Sequence, residues 1–305
     1  MSLASNRRAT QRSLLLFSPA AVTIFVLVAL PLLIMGHISL LDRGINGGVD
    51  WTSHYSFDSY RNFLWEEDLD GQMVINIAYL KTFLRSVTQA GVTTVLCFLV
   101  GFPAALWMSS VERKWRDIVV LLITIPFWTN LLIRNYAWLI ILREDGWLQQ
   151  WLTAIWPGDT PPTLLYNDLA VAIGLTYSFL PFMILPIYAT LEKFDWRLAE
   201  AAYDLGANRW RVLTRVILPI SMPGIIGGAM LVFIPSLGAF VTPALLGGGK
   251  TLMIGNLIQL QFGPSRNWPF GGALSVILLA LMMLVLVAYA LHTNYRSRRD
   301  GRVRS

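Results

Sequence analysis

Polar side chains interrupt one of the long apolar stretches of this chain, at residues 118–142. Asn130 and Arg134 are four residues apart, so a helix would carry both on one face, with Trp138 a further turn along. An arginine this far inside an apolar helix is expected to face protein or a water-filled path. Two interpretations stay open: a residue that lines such a path, or a structural arginine that reaches the membrane surface or pairs with backbone carbonyls.

Aromatic residues accompany this polar pair and would suit an organic cation, because the faces of aromatic rings attract positive charge. Arg134 would itself repel a cation, so packing or gating fits it better than direct contact with a ligand. The residues expected to line a translocation path are Trp128, Asn130, Arg134, Tyr136, Trp138 and Phe240.

The segment Gly249-Lys250-Thr251 resembles the end of a phosphate-binding loop, but its context is wrong for one. Ala244 stands where that loop needs its first glycine, and an apolar stretch precedes it instead of a strand. The sequence therefore gives no nucleotide site, and ATP hydrolysis by this chain is not expected.

Catalytic and metal sites need several reactive side chains that converge, and the sequence offers no such set. The single cysteine, Cys97, lies in an apolar stretch, and the three histidines lack ligand spacing. We expect no enzymatic activity, no cofactor and no metal. Carboxylates are also missing from the middle of the apolar stretches, which weakens an ion-coupled secondary transporter without excluding it, because backbone carbonyls can bind sodium.

The composition indicates an integral membrane protein. Of the 305 residues, 55% are hydrophobic and 14% are charged, whereas soluble domains carry about 25% charged residues. Six apolar stretches have the roughly 20 residues that cross a bilayer. They are 14–41, 79–108, 118–142, 169–190, 222–246 and 270–292. The first is longer than the apolar core of a signal peptide and is expected to be retained.

The positive charges predict the orientation of these spans. Residues 1–13, the segment between the second and third spans, residues 191–219 and residues 293–305 would share one face and hold most of the 24 lysines and arginines. By the positive-inside rule this face is cytoplasmic, with both termini inside. Topology thus accounts for the net charge of +6, and nucleic-acid binding is not expected.

The longest polar segment between two spans on that face holds the signals of two short helices, and we call residues 195–219 the elbow. Asp195 is expected to cap the first helix and Gly206 to end it. Asn208 would cap the second helix, and Pro219 would limit it. Ala201 and Ala202 leave little bulk on one face, so the elbow would fit closely against a partner; an amphipathic helix that lies on lipid is the alternative.

The elbow resembles the "EAA" signature of ATP-binding-cassette (ABC) importer permeases. The matching residues are Glu200-Ala-Ala, Gly206 and Val216-Ile-Leu-Pro219, with valine where the family often has isoleucine. The resemblance implies that this cytoplasmic loop docks as a coupling helix into a cleft of a separate ATPase subunit. The coupling residues that it implies are Glu200, Ala201, Ala202, Asp204, Gly206, Leu218 and Pro219.

Further segments look like the spermidine/putrescine branch of these permeases. They are Pro126–Arg134, Leu180–Tyr188, Leu245–Gly248, Met253–Asn256 and Asn267–Pro269. The resemblance implies an all-α, six-span type I (MetI-like) importer permease of the bacterial inner membrane, which moves a small organic cation by alternating access. It also implies a second permease subunit, two ATPase subunits and a periplasmic binding protein. Related branches carry ferric iron, thiamine, phosphonates or opines.

Overall fold

A computed structural model describes residue 19 and residues 22–67, 72–158 and 161–303 of the protein. The described chain is mostly helical and divides into two units, one from the described part of residues 1–76 with Ile258–Leu284, the other from Ile77–Leu257 and the rest of the C-terminal helix. The predicted all-α class holds for the membrane helices. Residues 42–75 add two short β-hairpins that the sequence analysis did not predict.

The first unit begins with the apolar helix α1 (Val22–Ile38). Strands β1 (Asp42–Arg43) and β2 (Val49–Asp50) pair antiparallel, with Asp42 opposite Asp50. Helix α2 (Asp58–Leu64) follows, and then β3 (Trp65–Glu67) pairs antiparallel with β4 (Met73–Ile75).

The first hairpin lies against the loop that precedes the last helix. The Arg43 guanidinium donates to the Ser265 carbonyl at 2.9 Å, and Gly48 N donates to the Arg266 carbonyl at 2.7 Å. A Cβ on Gly47 would lie 2.7 Å from that of Arg266, so glycine is needed for this approach. The hairpin and the loop therefore form one packed surface within this unit.

The described part of the second unit contains nine further helices up to residue 246, of which α9 and α10 form one continuous run. They are α3 (Ile77–Ser110), α4 (Arg113–Trp128), α5 (Leu131–Leu142), α6 (Trp147–Ile155), α7 (Asp168–Leu191), α8 (Arg197–Asp204), the run from α9 (Arg209–Val212) into α10 (Leu218–Leu237), and α11 (Val241–Leu246). Helix α12 (Ile254–Phe262) begins in this unit, and the chain closes with α13 (Trp268–Val303).

The core of the second unit is the packing of α3, α7 and α10 around Met183 and Ile187, which are fully buried. Glycines permit this close packing. A Cβ on Gly101 of α3 would lie 3.1 Å from the Met183 side chain, and a Cβ on Gly228 of α10 would lie 3.1 Å from the Met183 carbonyl. The hydrophobic effect does not drive helices together within lipid, so their association depends on van der Waals packing. Small residues at helix crossings permit the close backbone approach that this packing needs.

Among the described residues, four helices are long and apolar enough to cross a membrane: Ile77–Ser110, Asp168–Leu191, Arg209–Leu237 and Trp268–Leu291. They overlap the predicted second, fourth, fifth and sixth spans. Helix Val22–Ile38 falls in the predicted first span but is short for a crossing, and residues 14–18, 20 and 21 of that span lie outside the described residues.

The predicted third span, 118–142, is not one straight helix. Lys114–Trp128 and the helical stretch Leu131–Ile155 meet at 87° across Thr129 and Asn130. Pro126 has no N–H to donate to the carbonyl of Leu122, so the last turns of α4 lack one helix bond just before the break. Together the two pieces count as one broken span or as a re-entrant segment.

Candidate coupling elbow and translocation path

The first half of the elbow folds as the sequence indicates. Helix α8 (Arg197–Asp204) ends at Gly206, which has a φ of +81°. Gly206 N donates to the Tyr203 carbonyl at 2.8 Å and Ala207 N donates to the Ala202 carbonyl at 3.0 Å. These two bonds form a Schellman motif, which needs a left-handed residue at its centre and favours glycine there.

The start of α8 differs slightly from the prediction. Trp196 occupies the position before the helix, and its side chain makes no capping bond. Asp195 lies one residue earlier and accepts the N–H of Arg197 at 3.1 Å. Asp195 therefore supports the first turn as an Asx turn instead of as the N-cap itself.

Asn208 caps the second helix of the elbow as predicted, because its Oδ1 accepts the N–H of Arg211 at 2.8 Å. The prediction that Pro219 limits this helix is wrong. The helix continues from Arg209 to Leu237 through a π-helical turn at Leu213–Ile217, where Leu218 N bonds the Leu213 carbonyl five residues earlier. Pro219 then stands at the start of the α-helical segment that follows, where its missing N–H leaves little cost.

The two alanines of the elbow face different surroundings. Ala201 is exposed, whereas Ala202 packs against the buried cluster of α3, α7 and α10. Adjacent helical residues point about 100° apart, so the prediction of one small-residue face that includes both is wrong. Ala199 is buried at 4% exposure and fixes which side of α8 faces the core.

The exposed side of the elbow carries an apolar stripe with two carboxylates along one flank. Leu198, Ala201 and Leu205 fall on one side of the helix, and Leu205 is 89% exposed. Glu200 and Asp204 are exposed beside the stripe. Leu198 and Leu205 together expose an apolar patch, which is typical of a surface that another protein or a membrane covers.

The remaining coupling residues split between surface and core. A Cβ on Gly206 would meet open space, so glycine is required there by conformation and not by a contact within the chain. Leu218 packs against the core cluster, and Pro219 is exposed. The part of the predicted coupling set that a partner can reach is Glu200, Ala201, Asp204, Gly206 and Pro219.

The polar pair of the predicted path is arranged differently from the prediction. Asn130 lies at the break and caps α5, with its Oδ1 accepting Leu132 N at 2.8 Å. It therefore serves the helix start and does not present its side chain beside Arg134 along one helical face. The physical reason for this arrangement is that the break leaves the N–H groups at the start of α5 without helix partners, and the Asn130 side chain accepts one of them, from Leu132.

Arg134 connects the two sides of the break. Its Cζ lies 6.0 Å from the centre of the Phe127 ring, which belongs to the end of α4. The Arg134 side chain is half-buried, and its Nε finds no hydrogen-bond partner among the described residues. Phe127 in turn meets Phe182 of α7 edge-on at 5.0 Å. The guanidinium therefore contributes a cation–π contact to the packing of α4 and α5.

The aromatic residues of the predicted path fall into two groups. Trp138 packs edge-on against Tyr177 of α7 at 5.6 Å. Trp128, Tyr136 and Phe240 are exposed, at 86%, 52% and 44%, and share no ring contact with one another in the described part of the chain. The structure therefore brings Arg134 and Trp138 onto α5 beside α7 and does not bring all six residues together.

Asn256 is a buried residue that contacts Phe240 of the predicted path, and the sequence analysis assigned it no role. Its Nδ2 donates to the Phe240 carbonyl at 2.7 Å, and its Oδ1 accepts Met253 N at 3.2 Å. A Cβ on the neighbouring Gly255 would lie 2.6 Å from the Gly238 carbonyl. The start of α12 thus sits directly on the break between α10 and α11. The resemblance of Met253–Asn256 to a family segment had drawn attention to this residue. The sequence did not indicate that its side chain bonds the Phe240 carbonyl.

Helix α3 bonds both to the start of α7, which is the end away from the elbow, and to the segment around the start of α12. Ser86 Oγ accepts Ile254 N at 2.7 Å, and Gln89 Nε2 donates to the Asp168 carbonyl at 2.7 Å. Arg85 donates to the Lys250 carbonyl at 3.0 Å and lies 3.7 Å from the Asp168 carboxylate. These three residues are neighbours on one side of α3, so they join the start of α7 to the start of α12.

A cavity of about 510 Å³ opens at this end of α7. Its floor is apolar and its rim carries charge of both signs. The lining residues are Leu139, Leu142, Arg143, Glu144, Asp145, Thr163, Leu164, Leu165, Tyr166 and Lys250. Helix α7 has 24 residues, or about 36 Å of length, and the elbow follows its other end.

Comparison with known proteins decides the family. Residues 98–300 match the family described as binding-protein-dependent transport system inner membrane components. The chain belongs to this family. It is a multi-pass inner-membrane permease subunit of an ABC importer, as the elbow indicated.

Curated relatives and a solved structure agree with this assignment. The spermidine/putrescine transport system permease protein PotB of Haemophilus influenzae is 41% identical over 266 residues, which cover 86% of this chain and 87% of that one. The protein of the same name from Escherichia coli K12 is 43% identical over 213 residues, 69% of this chain and 77% of the other. A chain of the crystal structure of a bacterial alginate ABC transporter has the same fold, with a TM-score of 0.68, 16% identity and 98% of each chain covered.

Proposed function

We propose that this permease carries polyamines, putrescine and spermidine, from a periplasmic binding protein to the cytoplasm at the expense of ATP hydrolysed by a separate subunit. The names and the 41–43% identity of its curated relatives support the substrate. The absence of a nucleotide-binding motif from the sequence supports an ATPase on another chain.

The membrane topology of the proposal has six spans within residues 14–292, with residues 1–13 and 293–305 in the cytoplasm. The excess of lysine and arginine on one set of loops supports this orientation. In it the elbow is cytoplasmic, as part of the loop 191–219, and the charged cavity near Lys250 faces the periplasm.

The coupling proposal depends on one observation: a short helix with a Schellman motif at its C-terminal end presents an exposed apolar stripe beside two carboxylates. The Schellman motif at Gly206 and the buried Ala199 fix how α8 is held. A full burial of one leucine stabilises an interface by about 1.5–3 kcal/mol, so Leu205 alone is a substantial anchor. We assign the stripe to the cleft of the ATPase, with Glu200 and Asp204 at its rim.

The path proposal keeps Arg134 as a gate and gives Asn256 a positioning role. A guanidinium fixed near the break by Phe127 would raise the energy of a cation that approaches it. Phe240 is exposed at the second break, where Asn256 holds its carbonyl. Trp128, Asn130, Tyr136 and Trp138 remain proposed members of the wall around this region.

The proposed assembly has a second permease subunit, two ATPase subunits and a binding protein. The spermidine/putrescine transport system permease protein PotC of Shigella flexneri is 32% identical over 126 residues, which supports a pair of related permease chains. The binding protein would dock on the periplasmic end of α7, opposite the elbow.

Uptake of radiolabelled putrescine into proteoliposomes tests the function. We expect uptake only when the permease pair, the ATPase, the binding protein and internal ATP are all present. Uptake that continues without the ATPase and follows an imposed proton or sodium gradient would identify a secondary transporter instead. Equal uptake of thiamine or ferric iron, and none of putrescine or spermidine, would move the chain to a related branch.

A further inference from the structure

Helix α6 (Trp147–Ile155) carries an apolar stripe that no described residue covers. Trp147, Trp151 and Ile155 follow one another at four-residue spacing, so they fall along one side of the helix. Their exposed fractions are 64%, 66% and 62%. The stripe is about 12 Å long at 1.5 Å per residue.

The opposite side of α6 is fastened to the protein. Gln149 is 6% exposed, its Nε2 donates to the Pro162 carbonyl at 3.1 Å, and its Oε1 accepts Leu164 N at 3.1 Å. Leu148 packs against the buried cluster that includes Leu142. Because both bonds of Gln149 fix the rotation of the helix, the stripe is held outward.

The surroundings of the stripe change from apolar to charged within a few residues. Helix α5 exposes Ile133 and Ile140, at 67% and 60%, as expected of a lipid-facing side in a multi-pass membrane protein. Between α5 and α6 come Arg143, Glu144 and Asp145, all exposed, with Arg143 and Asp145 paired at 2.9 Å. Such a change from apolar to charged marks the level of the lipid headgroups.

We propose that α6 is a membrane-interface anchor whose stripe lies in the boundary between headgroups and acyl chains. Tryptophan is enriched at this boundary because its ring is apolar while its N–H can bond water or headgroups. The stripe contains no charged residue, and it follows directly on the lipid-facing side of α5. The leaflet is the one opposite the elbow, because Gln149 ties α6 to the segment before α7 and the elbow follows the end of α7.

The anchor gives the charged cavity a fixed depth. Arg143, Glu144 and Asp145 line that cavity and directly precede α6. With Trp147 and Trp151 in the interface, the cavity rim is held at the membrane surface, where water and a soluble partner can reach it. This inference depends on the membrane assignment and not on the transported substrate.

Spin labelling tests the anchor directly, since the chain has one cysteine, Cys97, which is fully buried. The nitroxide would be attached to Trp151→Cys in a Cys97→Ala background. Gln150→Cys in the same background is the matched control, because residue 150 lies on another side of α6. The assembled transporter would be placed in nanodiscs of phosphatidylethanolamine and phosphatidylglycerol at three to one. Power saturation then compares access to oxygen, which concentrates in lipid, with access to a neutral nickel chelate, which stays in water.

We expect the label at 151 to be several-fold more accessible to oxygen than to nickel, and the label at 150 to show the reverse. A label at 151 that nickel reaches as readily as at 150 would place the stripe in water and overturn the anchor. Shielding of 151 from both reagents would show a protein partner on the stripe and would overturn it equally. Ile155→Cys repeats the measurement one turn along, so the test does not depend on tolerance of the Trp151 substitution.

Discussion

The side-chain amide of Asn256 donates to the backbone carbonyl of Phe240 at 2.7 Å, sixteen residues away in sequence. Phe240 is the residue before α11, and its carbonyl also accepts the first bond of that helix, from Ala244 N at 3.0 Å. Asn256 is a second donor to this carbonyl and is itself 3% exposed. A break in a membrane helix is tolerated where protein contacts hold the irregular backbone, and here the Asn256 amide ties the break between α10 and α11 to the start of α12.

Replacing Asn256 by leucine should destabilise the protein, because the buried Met253 N–H then loses its acceptor and the Phe240 carbonyl keeps only Ala244 N as a donor. The cost of such an unsatisfied group is about 1–3 kcal/mol. We expect a lower melting temperature for Asn256→Leu in detergent, and a comparable loss for Asn256→Asp, which keeps the acceptor for Met253 N but places a second oxygen against the carbonyl. Gln259→Leu is the control, since Gln259 is exposed on the same helix. Equal melting temperatures for all three variants would remove Asn256 from its positioning role.

Gly206 is needed for its backbone conformation, so the identity of its replacement should decide the outcome. At a φ of +81° an L-residue costs roughly 1–2 kcal/mol, and asparagine tolerates this region better than most residues. We expect Gly206→Val to reduce coupled uptake strongly and Gly206→Asn to keep more of it, measured as putrescine transported per ATP hydrolysed. Since a Cβ here meets open space within the chain, equal losses for both variants would point to a steric contact with the ATPase instead.

Leu205 should be a principal anchor of the ATPase. Its exposed side chain would be covered in the complex, so Leu205→Asp would place a charge in an apolar contact and weaken assembly. We expect at least a tenfold loss of ATPase that co-purifies with the permease pair. Leu64→Asp is the matched control, because Leu64 is also an exposed leucine on a short helix, far from the elbow in sequence. Co-purification of the ATPase at the normal level with Leu205→Asp would contradict the docking of this stripe.

Arg134 should act as an electrostatic barrier to polyamine leakage. Arg134→Met removes the charge and keeps much of the length, so putrescine should escape several-fold faster from loaded proteoliposomes without ATP. Arg134→Lys keeps the charge and should leak less than the methionine variant. Arg143→Met serves as the control, since Arg143 is exposed and paired with Asp145 outside the break. Unchanged efflux for Arg134→Met in a folded protein would make the arginine purely structural.

Local signals predicted those features that depend on neighbours in sequence. The caps at Asn208 and Gly206 each form within a few residues, so residue type was sufficient to find them. The division of Ala201 and Ala202 between surface and core was not visible, because it depends on which side of α8 meets α3, α7 and α10.

Features set by tertiary contacts or by backbone alternatives were missed. Pro219 was expected to end a helix. Instead, the π-helical turn at Leu213–Ile217 places it at the start of the next α-helical segment, where its missing N–H costs little. Asn130 was expected on one helical face with Arg134, whereas the 87° break makes it the cap of α5. The Asn256–Phe240 bond pairs two elements that sequence periodicity does not relate. Glu200, Ala201 and Asp204 were predicted from the sequence, whereas Leu198 and Leu205 join Ala201 in a stripe only through the rotation of α8.

The ratio of putrescine uptake to ATP hydrolysis tests the central claim, that the elbow couples the ATPase to this permease. It would be measured in proteoliposomes that contain the complete transporter and its binding protein, with the native chain, Glu200→Lys and Gly206→Trp. We predict that both variants insert into the membrane and permit ATP hydrolysis while uptake per ATP falls at least tenfold. Normal uptake per ATP by both variants would contradict the account.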